Sequence, residues 1–271
     1  LLFAAILLQA VLIPEHASQM RAPEETGSAT SLPFSIGERL VYRVEWNPPL
    51  YLFFLPHMEA GEAELRLDDE AVYNDKRAIR IVFRAHSSGM LSKLAGIKID
   101  DEFIFFADPQ TLCSLKVSKK IREGKRKRQI DVEYFHDVHQ LHIREIDESV
   151  SPPKIKKDET KGNIPSCVQD PLSATYLLRM SPLRVGLVRT FVIGYDDRIK
   201  EIESFVEKQE DIETPAGKFA AWNIRTTALM GGLFKEGGQF RIWLSADERK
   251  MPVQFEVRVK LGRVYGKLKQ Y

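Results

Sequence analysis

Across 271 residues the chain holds only two cysteines and three tryptophans, no excess of either charge, and no apolar run long enough to cross a bilayer comfortably. Each shortage removes a class of protein. Forty basic against 38 acidic residues give a formal charge of +2, too balanced for the electrostatic footprint of a nucleic-acid binder. No nucleophile elbow, H-E-x-x-H or Cys-x-x-Cys is present. The glycines Gly231, Gly232, Gly237 and Gly238 lack the Lys and Ser/Thr of a phosphate-binding loop and read as a mobile loop. No cofactor is expected. A hydrolase built on two distant carboxylates stands third among the functional readings, so the chain is treated as more non-catalytic than catalytic.

What the chain has in quantity is alternation. Leu40, Tyr42, Val44 and Trp46 share one face of Arg39 to Trp46, with Arg43 and Glu45 on the other, the mark of a half-buried strand. The same pattern runs through 62–68, 77–85, 98–106, 112–122, 125–135 and 140–147, and again through 188–195, 199–212, 218–227, 238–244, 252–261 and 263–269. Ser151 to Ser166 reads as a loop, and Ser87 to Ala95 as a short helix with Met90, Leu91 and Leu94 on one face.

One substantial helix interrupts the strands, within Asn163 to Pro182. Asp170 suits its N-cap and Pro171 its first position. Its apolar residues spread over most of the circumference and leave a narrow polar stripe of Thr175 and Arg179. Segments on its two sides also resemble each other: G-E-R-L-V-Y-R-V from Gly37 answers G-L-V-R-T-F-V-I from Gly186, and the stretches from Tyr73 and Asp101 answer those from Thr214 and Gly238. The fold expected is mainly β, a strongly curved antiparallel sheet or incomplete barrel of about a dozen strands around the central helix, with two stacked sheets as the rival. Two duplicated halves, 36–147 and 186–271, would flank a helix at 168–182 within one β domain at 33–271.

Leu1 to Ile13 is an apolar run of signal-peptide length followed by Pro14 and a polar stretch. Residues 1–18 are accordingly read as a signal-peptide remnant and 19–32 as a disordered linker. The expected location is periplasmic or secreted, with no transmembrane span in the mature chain. Cys113 and Cys167 fit either a disulfide in that compartment or two buried thiols, and spacing does not decide between them.

Candidate contact residues fall in three places. Pro48 to Pro56 is apolar where a polar turn is expected, so Leu50, Tyr51, Leu52, Phe53, Phe54 and Leu55 either meet a ligand, membrane or partner, or fold back over the end of the sheet. Arg179 either meets a ligand anion or pairs with Asp170, Asp196 or Asp197. Lys125, Arg126, Lys127 and Arg128, with Lys119, Lys120 and Arg122 behind them, crowd one hairpin and either meet anionic headgroups or form a solvated edge. His136, His139 and His142 have metal-ligand chemistry but strand geometry turns His139 away from the others, so no metal site is expected.

G-E-R-L-V-Y-R-V-E-W-N, A-G-E-A-E-L, V-Q-D-P-L-S-A-T-Y-L-L-R, T-P-A-G-K-F and I-W-L-S-A-D-E-R-K-M-P-V together resemble a family of exported bacterial proteins catalogued as domain of unknown function 3108, over roughly Pro33 to Lys269. The resemblance implies a secreted or periplasmic β protein of a Gram-negative-type bacterium and carries no reaction, substrate or catalytic residue. The reading that joins these features is an exported cell-envelope protein binding a lipid-like, hydrophobic or amphipathic ligand without catalysis. The alternative is an interaction or assembly module that docks another envelope protein.

Overall fold

The structure is a computed structural model that describes residues 32–49, 58–88, 98–227, 239–259 and 262–271. Its strands are β1 (Arg39–Asn47), β2 (Met58–Tyr73), β3 (Lys76–Ser87), β4 (Asp100–Ala107), β5 (Ser114–Glu123), β6 (Arg126–Phe135), β7 (Gln140–Asp147) and β8 (Lys154–Gly162). After the helix α1 (Pro171–Met180) come β9 (Val188–Tyr195), β10 (Arg198–Thr214), β11 (Gly217–Thr227), β12 (Gln239–Ser245), β13 (Pro252–Val259) and β14 (Gly262–Gln270). All fourteen lie in one sheet in the order β8-β7-β6-β5-β4-β3-β2-β1-β14-β13-β12-β11-β10-β9. Every hairpin pair is antiparallel, and β1 meets β14 in the middle. One barrel-like sheet, not two stacked sheets, is the answer, and it stays open because β8 and β9 do not pair.

Period-two alternation explains why these segments pair as they do. On β4 Phe103, Phe105 and Ala107 are buried, on β5 Val117 and Ile121, and on β6 Ile130, Val132 and Tyr134. They join Leu40, Tyr42, Val44, Leu65 and Ile81 in one cluster on the concave face. The convex face carries ion pairs between neighbouring strands, such as Arg39–Glu64, Arg84–Glu102 and Lys116–Glu133. Such exposed pairs are worth about 0.2–1 kcal/mol each, so the direction of curvature follows from the buried face.

Lys154–Gly162 forms β8, where the sequence reads as a loop. It is exposed almost throughout and carries Lys154, Lys156, Lys157 and Lys161, so it lacks the apolar face that marks the other strands. Charge suits an unpaired edge, since lysines discourage pairing with a second chain. The expected Ser87 to Ala95 helix lies outside the described residues beyond Ser88, and β3 itself runs through Ser87.

The two unpaired edges are brought together by other means. The strap 163–170 runs between them: its Val168 carbonyl accepts from the Ser114 N–H (2.7 Å), and its Gln169 exchanges backbone bonds with Val192 and Gly194 of β9 (2.8 and 2.7 Å). Cys167 is disulfide-bonded to Cys113, with Cα atoms 5.2 Å apart. Asp197, at the turn between β9 and β10, receives both Lys157 and Lys161 of β8. Lys119 of β5 reaches Asp196 at 2.6 Å. Gly194 is needed here, because a Cβ at that position would lie 2.3 Å from the Tyr134 hydroxyl of β6.

The halves match in detail. β1 to β6 have 9, 16, 12, 8, 10 and 10 residues, and β9 to β14 have 8, 17, 11, 7, 8 and 9. Gly37 (φ 89°) and Gly186 (φ 83°) hold the same left-handed position before the first strand of each set. Their N–H groups bond Leu67 and Val206, and those residues' N–H groups return to Glu38 and Leu187.

Replacing both cysteines by serine opens a closure spanning 54 residues, worth about 4 kcal/mol in the chain-entropy account. At about 2–4 °C per kcal/mol for a chain of this size, the melting temperature should fall by roughly 10 °C in thermal circular dichroism. A fall of under about 2 °C would show that the strap's hydrogen bonds hold the edges unaided.

Candidate functional site

The helix begins where the sequence places it. The Asp170 carboxylate accepts from the N–H groups of Leu172 (2.8 Å) and Ser173 (3.0 Å), and Pro171 occupies the first turn. The other Asp170 oxygen accepts from the Ser114 hydroxyl at 2.8 Å, which ties the helix start to β5. Ten residues end at Met180, and the C-terminal cap is the Ser181 N–H bonding the Leu178 carbonyl.

The polar stripe of this helix does not face water. Arg179 is fully buried, and its guanidinium engages Glu38 through both terminal nitrogens (2.5 and 2.7 Å). It also donates to the carbonyls of Pro33 (3.0 Å) and Arg249 (3.0 Å) and lies over the rings of Phe34 and Tyr176. The partner is therefore Glu38, just before β1, rather than Asp170, Asp196 or Asp197. With all these donors engaged, Arg179 stands apart from the cavity described next, and the exposed member of the last helical turn is Met180.

Between the helix and the concave face lies a cavity of about 230 Å³. Leu172, Ala174 and Leu178 form its helical wall, and Phe103, Phe105, Phe191, Ile242 and Phe255 are among the sheet residues around it. The lining is almost wholly apolar and draws on both halves of the sheet. An apolar cavity of about 150 Å³ already admits a benzene-sized guest and stays dry, so this one has room for a real ligand.

One corner of the lining is polar. Asp101, at the start of β4, is 2 % exposed and points inward in step with Phe103 and Phe105. Its Oδ1 accepts from the Arg122 N–H at 2.7 Å, while its Oδ2 has no hydrogen-bond partner among the described residues. Burial pushes the Asp101 carboxyl up to about 7, the Glu123 carboxylate adding to the rise while the Arg122 N–H and the Arg126 guanidinium oppose it. Nearby, the Lys119–Asp196 pair spans the seam, with the Lys119 ammonium 4.2 Å from the centre of the Tyr195 ring. Burial would raise the Asp197 carboxyl, but the hydrogen bonds and charges of Lys157 and Lys161 outweigh it and bring it down to about 2.

The remaining sequence candidates separate. Leu50, Tyr51, Leu52, Phe53, Phe54 and Leu55 lie outside the described residues, as does the glycine-rich loop 231–238. The basic hairpin is divided by strand alternation: Lys125 and Lys127 are exposed, whereas Arg126 and Arg128 are half-buried and paired with Glu123 and Glu145. A four-cation surface for headgroups thus becomes two exposed lysines. The three histidines diverge, His136 to the Ser114 carbonyl, His139 to the Ile164 carbonyl and His142 to Asp158. Asp101 was not among the sequence candidates, and Lys119, grouped there with the basic hairpin, instead lies inside against the cavity. Their parity with Phe103 and Val117 was the available signal.

An open, barrel-like antiparallel sheet with one short helix and an apolar cavity defines the class. The chain matches the family described as protein of unknown function (DUF3108) over residues 41–269, and it belongs to that family. None of the curated proteins matches it. Among solved structures, it resembles a beta-barrel-like protein of the domain of unknown function DUF1849 from Brucella abortus, with a TM-score of 0.56 and 12% identity over 86% of this chain and 95% of that one. A candidate exported protein with a YmcC-like fold from Bacteroides fragilis aligns at a TM-score of 0.30 and 13% identity, covering 88% of this chain and 97% of that one. The Brucella likeness is one of fold. No helix among the described residues is long and apolar enough to cross a membrane.

Two outcomes follow from the site. Arg179→Met leaves Glu38 facing a buried, uncompensated position and should cost about 3–5 kcal/mol in urea unfolding, whereas adding Glu38→Gln should recover part of the loss. Additive losses would show that the two groups act independently. The folded chain holds the Asp101 proton to about pH 7 and the unfolded chain only to about pH 4. That contribution to stability is whole below pH ~4 and is lost as pH rises through ~7. Asp101→Asn, which cannot ionise, should match the parent at pH 4 and exceed it at pH 8, by a few kcal/mol at most, since each pKa unit is worth about 1.4 kcal/mol. Equal stabilities at both pH values would show that the carboxyl titrates normally.

Proposed function

We propose that this chain is an exported cell-envelope protein that binds the alkyl part of a hydrophobic or amphipathic molecule in the cavity between α1 and the sheet. The carrying observation is an apolar cavity of about 230 Å³ lined by both halves of the chain. Its size sets the guest. Typical sites for drug-sized ligands are about 300–1,000 Å³, so one alkyl chain fits and a two-chain lipid does not. Each buried methylene contributes about 0.8 kcal/mol, which makes a medium-length chain sufficient for measurable binding. Export is supported by the Cys113–Cys167 disulfide, since such bonds persist in oxidising compartments, and by the apolar Leu1 to Ile13 run. We also read the matching strand lengths and the Gly37 and Gly186 hydrogen bonds as the trace of a duplicated six-strand unit, the helix and cavity lying between its copies.

Native mass spectrometry of the full chain, challenged with single-chain amphiphiles, tests the binding. An adduct of one amphiphile is expected, and Ala174→Phe, which places a ring in the cavity, should abolish it while the melting temperature stays within a few degrees. A bare polypeptide mass at saturating amphiphile, with the cavity residues unchanged, would overturn the reading.

A further inference from the structure

At one level of the sheet the apolar lining of the cavity gives way to two hydroxyls. Ser204 on β10 and Thr226 on β11 are register partners, so their side chains share the inward face. Both line the cavity, both are buried, and their hydroxyl oxygens lie 3.1 Å apart. The row continues across the sheet through Phe240 and Val257, which line the cavity too. Along the two strands the neighbours of the same parity are Ile202, Val206 and Ile224, all buried in one apolar cluster.

Valine or isoleucine would fill these positions without a polar atom, and a buried hydroxyl without a hydrogen bond is costly. Two hydroxyls carry two donors, and the bond between them uses one. Neither makes a further side-chain hydrogen bond among the described residues, so one O–H is left to donate. Of the other hydroxyls in the lining, Tyr42 donates to the Pro252 carbonyl (2.8 Å) and Thr175 to the Pro171 carbonyl (2.9 Å), which leaves Tyr134 as the rival donor. An oxygen of a bound molecule can accept the spare hydrogen. Charge on that oxygen would be unfavourable: among the described residues the cation of the lining is Lys119, which Asp196 already holds at 2.6 Å, so an ionised head would be buried without a counter-charge.

We propose that the Ser204–Thr226 pair is the head subsite of the cavity and donates a hydrogen bond to the uncharged oxygen of a single-chain ketone, ester or alcohol. The inference rests on the cavity-binding reading and adds the head chemistry to it. The alkyl tail is left to the apolar remainder of the lining, among Phe191, Ile242 and Phe255.

The test uses the full chain with 2-octanone, which accepts but cannot donate, and 1-chlorooctane, an alkyl control with a much weaker acceptor. In the double variant Ser204→Ala, Thr226→Val, the ratio of ketone to chloride affinity, read by calorimetry, should fall about tenfold while chlorooctane binds as before. Removing both partners of a buried hydrogen bond is close to neutral, so the melting temperature should stay within a few degrees. The carbonyl stretch of bound 2-octanone, read by infrared difference spectroscopy, should lie below its value in hexane in the parent chain and in Tyr134→Phe, and should return to the hexane value in the double variant. An unshifted stretch in the parent, which needs no variant to fold, would refute the head subsite and leave the cavity reading intact. So would an unchanged affinity ratio in the double variant, or loss of the shift in Tyr134→Phe. Failure of both ligands to bind the parent would overturn both readings.

Discussion

A sheet of fourteen strands that is apolar on one face has to hide that face, and the structure depends on how it does so without closing. Pairing β8 to β9 would make a continuous barrel, but β8 is a lysine-rich edge with almost no apolar side chains to offer an interior. The edges are instead joined by the strap 163–170, which bonds to β9 along its own backbone and to Cys113 through sulfur. Two lysines on Asp197 and one on Asp196 complete the seam. The helix α1 follows directly on this strap.

Seen this way, Asp170 and Arg179 set the two ends of the helix. Asp170 caps its first turn and binds Ser114 of β5, so the N-terminus is fixed to the first half of the sheet. Arg179 fixes the other end to Glu38, at the entrance to β1, and to the Arg249 carbonyl before β13. A buried ion pair gains little over a well-packed apolar pair of the same volume, but it tolerates few alternative arrangements. Nine residues apart on one helix, the two anchors leave it little freedom to slide along the sheet.

Much of the fold was legible because strand alternation is a local signal. Leu40 to Trp46 or Phe103 to Ala107 announce their buried face without reference to anything distant. The Asp170–Pro171 start was equally local. What escaped was set by distant partners. The partner of Arg179 is 141 residues away, and nothing in the helix distinguishes Glu38 from the acids closer in sequence. β8 escaped because an edge strand lined with lysine has no apolar period to read. In the basic hairpin the sequence shows four adjacent cations, and only the register against Glu123 and Glu145 turns two of them inward. The cavity itself could not be read from any segment, since its walls come from strands at both ends of the chain.

The cavity follows from arithmetic as much as from selection for a ligand. A ten-residue helix is about 15 Å long, and it is set against the hollow of a fourteen-strand sheet whose inward residues at Phe103, Phe105, Phe191 and Phe255 hold the walls apart. Space left over in this way would ordinarily be filled by larger side chains, since unfilled apolar volume costs stability. Here Ala85 and Ala174 are small where the space lies. A polar residue at such a boundary is costlier still, and Asp101, Lys119 and Ser204 all stand in the lining. Lys119 is offset by Asp196 and Ser204 by Thr226, whose hydroxyls lie 3.1 Å apart. Asp101 has only the Arg122 N–H, so its second oxygen is left without a hydrogen-bond partner among the described residues.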